Sequence, residues 1–205
     1  MEPFDALRPE FWREIEIHGH TRYLVVTLDE RRCLKAQSEA GASMLVSTVR
    51  FNPRTFGRLS WQWRVDRLVE REALTRKDGS DAAARLYVYF DTPGLPWQKR
   101  SLDYVWSATL SVGAVVTSAF APSSRIIVVD SGAEHLGRWR AVERNVEEDY
   151  HRAFGAGPLP DVIAIGIMSD SDNTKTQTLA YFDEVRVSRS ALDAQAALSP
   201  PPSAH

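Results

Sequence analysis

Arg85, Tyr87 and Tyr89 alternate with Leu86, Val88 and Phe90 in one short run. Side chains two residues apart share a face of a β-strand, so the run has one apolar face and one that carries a guanidinium and two phenols. The preceding strand repeats the device: Leu59, Trp61, Trp63 and Val65 fit a core, which turns Gln62 and Arg64 outward. If the two strands pair, Gln62, Arg64, Arg85, Tyr87 and Tyr89 form one polar-aromatic patch, and Asp103 on the next strand joins it and pairs with an arginine. Such a surface suits a sugar, because aromatic faces stack on C–H faces while Arg and Asp hydrogen-bond hydroxyls. The plainer account is the solvated side of an antiparallel sheet, where aromatics and arginines stabilise cross-strand pairs. Trp61 and Trp63 belong to the core on either account.

The segment Ser169-Asp-Ser-Asp-Asn-Thr174 is the most distinctive of the sequence. Hard cations such as calcium take several oxygen ligands, which Asp170 and Asp172 would help to supply. Its opening is like that of an EF-hand loop but lacks the glycine at position six and the glutamate at position twelve, so that motif is rejected. The alternative is an Asx-rich turn whose side chains accept from nearby backbone N–H groups. His18-Gly19-His20 puts two imidazoles close together without a third ligand at zinc spacing. Cys33 lies beside Arg31 and Arg32 but has no histidine partner, so it reads as a small buried hydrophobe. Glu143 and Asp103 would serve glycoside acid–base chemistry only at a suitable separation. Nucleophile elbow, P-loop, dinucleotide fingerprint and His-Glu-x-x-His are all absent.

The elements that must hold these residues have a period of two. Strands are expected at Glu14–Ile17, Tyr23–Leu28, Ser43–Phe51, Leu59–Val65, Arg85–Asp91, Leu102–Trp106, Arg125–Asp130, Val162–Met168 and Ala180–Val187, separated by turn clusters such as Thr92-Pro93-Gly94. One helix is predicted over Val142–Phe154, closed by Gly155. Many strands, one helix and no βαβ alternation define an all-β protein, a jelly-roll sandwich of two antiparallel sheets. One domain is expected over residues 1–190, followed by an Ala/Pro-rich disordered tail over 191–205.

Composition narrows the classes further. A chain of 205 residues buries a core without staples. Its 25 basic and 27 acidic residues lack the charge of a nucleic-acid binder. The single cysteine excludes an internal disulfide. The longest apolar stretch, Val162–Met168, is too short for a membrane-spanning helix, so no membrane insertion is expected. The acidic start Met1-Glu-Pro-Phe-Asp5 reads as cytoplasmic, or as periplasmic or secreted if a signal peptide has been removed.

Five segments carry a resemblance: Leu59–Val65, Asp81–Phe90, Leu102–Trp106, Glu143–Val146 with Asp149-Tyr150, and Met168–Thr174. In order and spacing they resemble the bacterial family called domain of unknown function 3047, over nearly the whole chain to about Ser188. The resemblance implies no particular activity; members commonly look exported. A looser likeness, carried by Leu45–Phe51, Leu59–Val65 and the last strand Ala180–Val187, is to carbohydrate-binding modules of galactose-binding-like jelly-roll type. That likeness implies a structural calcium near Asp183 or Glu184.

The leading expectation is a non-catalytic module that binds a glycan or similar small polyhydroxylated ligand through Gln62, Arg64, Arg85, Tyr87, Tyr89 and Asp103. Calcium, if held, falls to Asp170, Asp172 and Asp183. The rivals are a glycan hydrolase or lyase in the same groove and a protein-assembly module. Oligomeric state is not legible in the sequence.

Overall fold

The computed structural model describes residues 11–189, so both the N-terminal pentapeptide and the expected tail lie outside the described residues. The strands follow in chain order: β1 Arg13–His18, β2 Arg22–Leu28, β3 Arg31–Glu39, β4 Ala42–Phe51, β5 Arg58–Arg67 and β6 Ala84–Phe90. Then come β7 Ser101–Ser107, β8 Val115–Thr117, β9 Ser124–Ser131, β10 Arg140–Asn145, helix α1 Val146–Phe154, β11 Val162–Met168 and β12 Gln177–Ser188. They form a seven-stranded sheet A, in the order β1-β4-β11-β6-β7-β9-β8, and a five-stranded sheet B, in the order β10-β5-β12-β3-β2. This is the all-β jelly-roll sandwich.

Sheet A departs from the expected antiparallel pattern at one place: β7 and β9 run parallel. After Ser107 the chain lays β8 at the sheet edge and then returns as β9 between them, in the direction of β7. Three strands escape the periodicity. β3 points only Leu34, Ala36 and Ser38 inward, too little apolar contrast against Arg31, Lys35 and Gln37 to read as a strand. β8 has three residues, and β10 overlaps the start of the predicted helix.

The inward faces of the two sheets meet in one core. Leu59, Trp61, Trp63 and Val65 of sheet B oppose Leu86, Val88, Phe90, Leu102, Tyr104 and Trp106 of sheet A. Trp61 lies 5.3 Å from Tyr104 and Trp63 6.2 Å from Trp106, ring to ring. Trp63 donates its Nε1 proton to Asp130 at 3.1 Å, whereas the buried Nε1 of Trp61 has no hydrogen-bond partner.

The helix begins at Val146 rather than Val142, because Arg140–Asn145 pair with β5 and Asn145 caps the helix. Its Oδ1 accepts from Glu147 N (3.1 Å) and Glu148 N (3.3 Å), and three acids in the first turn complement the helix dipole. Gly155 ends it with φ 83°, a value most side chains avoid. Replacing Asn145 by alanine is expected to cost about 1 kcal/mol in urea unfolding, with the fold unchanged by circular dichroism.

The outer face of sheet A is divided. Leu74 and Ala82, from the connection 68–83, pack on Val105, Ile126 and Val128 and cover the β7–β9 half. The β4-β11-β6 half carries Met44, Met168, Tyr87 and Tyr89.

Candidate functional site

The predicted patch is split between two sheets. Arg85, Tyr87, Tyr89 and Asp103 share the outer face of sheet A, whereas Gln62 and Arg64 lie on the outer face of sheet B, with the core between. The expected β5–β6 pairing fails because residues 68–83 join those strands, far more than the two to five residues of a hairpin. That connection crosses from one sheet to the other.

On sheet B, Arg64 pairs with Asp66 (2.6 Å) and Asp29 (2.9 Å). Gln62 donates to Glu184 at 2.7 Å and accepts from Arg31. Trp139 lies over this face, with the Arg31 guanidinium 4.8 Å from its ring centroid. These side chains largely satisfy one another.

On sheet A, Arg85 and Asp103 are only 3% and 1% exposed, so neither is the surface contact that alternation suggests. The segment Ser80–Ala82 and the loop after β11 close over them. Arg85 donates to Asp103 Oδ2 at 2.6 Å, to Asp170 Oδ1 at 3.0 Å and to the Ser80 carbonyl at 2.7 Å. The expected Asp103–arginine pair therefore forms, as part of a buried clamp. The same clamp takes in Asp170, which the sequence places in a separate metal site. Asp103 Oδ1 is buried without a hydrogen-bond partner.

Asp81 completes the cluster. Its carboxylate accepts from Asn173 N (3.2 Å) and Nδ2 (2.7 Å) and from Thr174 N and Oγ1 (both 2.7 Å). Asp170 Oδ1 also accepts from Ala82 N at 3.0 Å. The acidic loop is therefore pinned to residues 81–85 instead of forming a self-contained Asx turn. Burial, followed by Asp81's charge, pushes the Asp170 pKa up to about 7 against the pull of Arg85. Burial raises Asp103 as well, partly offset by Arg85.

The calcium expectation needs correcting in its membership. Asp183 sits in sheet B, 3.6 Å from Arg31, and joins neither Asp170 nor Asp172. Asp81, Asp170 and Asp172 instead offer oxygens within 4.8 Å of one another. Both Asp81 oxygens and one Asp170 oxygen already accept hydrogen bonds, whereas calcium takes six to eight oxygens. The Glu143–Asp103 acid–base pair does not form either: Glu143 is exposed on β10 in sheet B and bound to Arg58 at 2.6 Å.

Beside the clamp, the open half of the face is a floor of polarisable groups. Tyr87 and Tyr89 are partly exposed, with ring centroids 5.7 Å apart and planes inclined by 14°. Their hydroxyls reach Met168 Sδ at 3.9 Å and Met44 Sδ at 3.5 Å, so the rings lie across β11 and β4. Gly166 of β11 makes room for this: a Cβ there would stand 2.7 Å from Met44 Sδ. Burial pushes both phenol pKa values up, so both hydroxyls stay neutral. Sequence reading missed Asp81, Met44, Met168 and Gly166. The 16-residue connection between β5 and β6 was the available signal, since it argued against a single patch.

Fold and site define a jelly-roll β-sandwich with an aromatic sheet face beside a buried charge cluster. The chain belongs to the family described as "Protein of unknown function (DUF3047)", whose model matches residues 10–186. No curated protein matches its sequence. Among solved structures it is similar to the family 11 carbohydrate-binding module of the cellulase Lic26A-Cel5E of Clostridium thermocellum, at 10% identity over 91% of each chain, TM-score 0.48. It is also similar to the xyloglucanase domain of NopAA from Sinorhizobium fredii, solved with cellobiose, at 8% identity over 92% of this chain and 97% of that one, TM-score 0.49. A Cel12A cellulase derived from that of Rhodothermus marinus matches at 7% identity over 87% and 100%, TM-score 0.46. Among the described residues, no helix is long and apolar enough to cross a membrane.

Proposed function

We propose that the chain binds a glycan non-catalytically across the open half of the outer face of sheet A, on Tyr87 and Tyr89. The near-parallel pair of partly exposed rings carries this reading. Two stacked rings at i and i+2, backed by methionine thioethers, supply an apolar aromatic floor for the C–H groups of a sugar. Arg85 and Asp103 act beneath them: the clamp fixes β6 against β7 and so sets the platform.

The test is affinity electrophoresis and calorimetry on a panel of soluble β-glucans, xyloglucan and galactans. The Tyr87→Ala/Tyr89→Ala variant is expected to lose at least about tenfold in affinity, as removing a pair of aromatic anchors does. Its melting temperature should fall by only a few degrees. Unchanged affinity in this variant would overturn the assignment. A calcium arm with chelator controls belongs in the same screen, because an ion on Asp81, Asp170 and Asp172 would raise the melting temperature by mass action.

A second reading, a glycan hydrolase or lyase, is favoured by one observation. Asp170, pushed up to about 7, shares Arg85 with Asp103, and perturbed carboxylates of this kind mark acid–base sites. Reducing-end release from a bound glycan, abolished in Asp170→Asn with binding retained, would replace the first reading with this one.

A further inference from the structure

Between β9 of sheet A and β10, the edge strand of sheet B, a cleft of about 220 Å³ opens, distant in sequence from the tyrosine face. Val112 and Val129 supply its accessible apolar contacts, above the buried Ile127 and Val142, and Arg140, Arg144 and Arg152 its polar side. Arg144 is committed to Asp149 through Nε (2.8 Å) and Nη2. The other two keep unspent N–H groups. Arg140 spends only Nε, on Asp130 at 3.3 Å, and Arg152 spends only one Nη2 proton, on the Gly113 carbonyl at 2.6 Å.

The carboxylates on the lining are already engaged. Asp130 accepts from Trp63 and Arg140, and Glu143 is held by Arg58 at 2.6 Å. Arg152 has no carboxylate partner among the described residues. It stands in the last turn of α1, where the helix dipole favours a cation.

We propose that this cleft binds the carboxylate of a small anionic ligand, one ring in size, between Arg140 and Arg152. Guanidinium forks with unspent N–H groups match a planar carboxylate better than a spherical or tetrahedral anion. The apolar side takes the face of the ring. A volume below the roughly 300–1,000 Å³ of drug-sized pockets holds about one ring, and the cleft lies apart from the tyrosine face of sheet A.

The experiment is calorimetric titration of the whole chain with sodium glucuronate, glucose, sodium benzoate and inorganic phosphate, repeated on Arg152→Gln and Arg140→Gln. Arg152 is exposed, so Arg152→Gln is expected to fold normally. Saturable binding of glucuronate but not glucose, weakened about tenfold or more in either variant, supports a sugar-acid ligand. The same pattern with benzoate supports the carboxylate site with a ring ligand other than sugar. Binding of phosphate alone, binding unaffected by both substitutions, or no carboxylate binding overturns the proposal. The Tyr87→Ala/Tyr89→Ala variant should bind glucuronate normally, so failure here and failure of the glycan platform are separately visible.

Discussion

Arg85→Ala is expected to melt on the order of 10 °C below the parent chain, whatever ligand is present. Removing one partner of a buried ion pair costs about 3–5 kcal/mol, because the remaining charges lose their compensation. A domain of this size loses about 2–4 °C per kcal/mol. Here two carboxylates are stranded, Asp103 and Asp170, the first with an oxygen already unpartnered. Both would be driven to take up protons, so the deficit should shrink toward pH 5. Scanning calorimetry at pH 5 and pH 8 reads both effects. If the variant kept its melting temperature and lost only glycan affinity, Arg85 would be a surface contact after all and the buried clamp would be wrong.

The stability of the parent chain should fall as pH rises from about 4 to about 7. The sign follows from Asp170, whose pKa is about 7 in the fold against 3.8 as an unperturbed side chain. In that window the folded chain holds a proton that the unfolded chain has released, so raising the pH favours unfolding. The group's stabilisation is complete below about 4 and lost as pH passes 7. One such group contributes a limiting slope of about 1.4 kcal/mol per pH unit. Asp103 and Asp172, also raised by burial, act in the same direction. Asp78 and Asp91, lowered by arginine partners, act in the opposite one but are exposed and screened. Urea unfolding of the parent and of Asp170→Asn at pH 4.5, 5.5, 6.5 and 7.5 isolates the Asp170 contribution. Parallel stability profiles for the two proteins would show that Asp170 is not the titrating group.

Much of this was legible in the sequence. Trp61 and Trp63 alternate with polar residues, and both are buried as that pattern requires. Tyr87 and Tyr89 face outward because Leu86, Val88 and Phe90 face in. The Asp103–arginine pair was also readable, since neighbouring strands bring facing residues within reach. β3 was not legible, because alanine and serine fill inward positions where larger apolar residues would have marked it. Nor was the fate of Arg85: alternation gives the direction of a side chain, and only the covering segments 80–82 and 169–174 determine whether it meets water.

Most of the strands, their inward faces, the helix stop at Gly155 and the family follow from the order of residues alone, because these depend on local period and turn chemistry. Tertiary structure decided what lies together. It set Gln62 and Arg64 on one sheet and Tyr87 and Tyr89 on the other, and drew Asp81, Arg85, Asp103 and Asp170 into one cluster from three stretches of chain. The 16-residue connection 68–83 exceeds a hairpin loop and so argues against direct β5–β6 pairing, but its length does not say which sheet each strand joins. Packing settles it: the tryptophans of β5 bury fully only against Tyr104 and Trp106 of the opposite sheet.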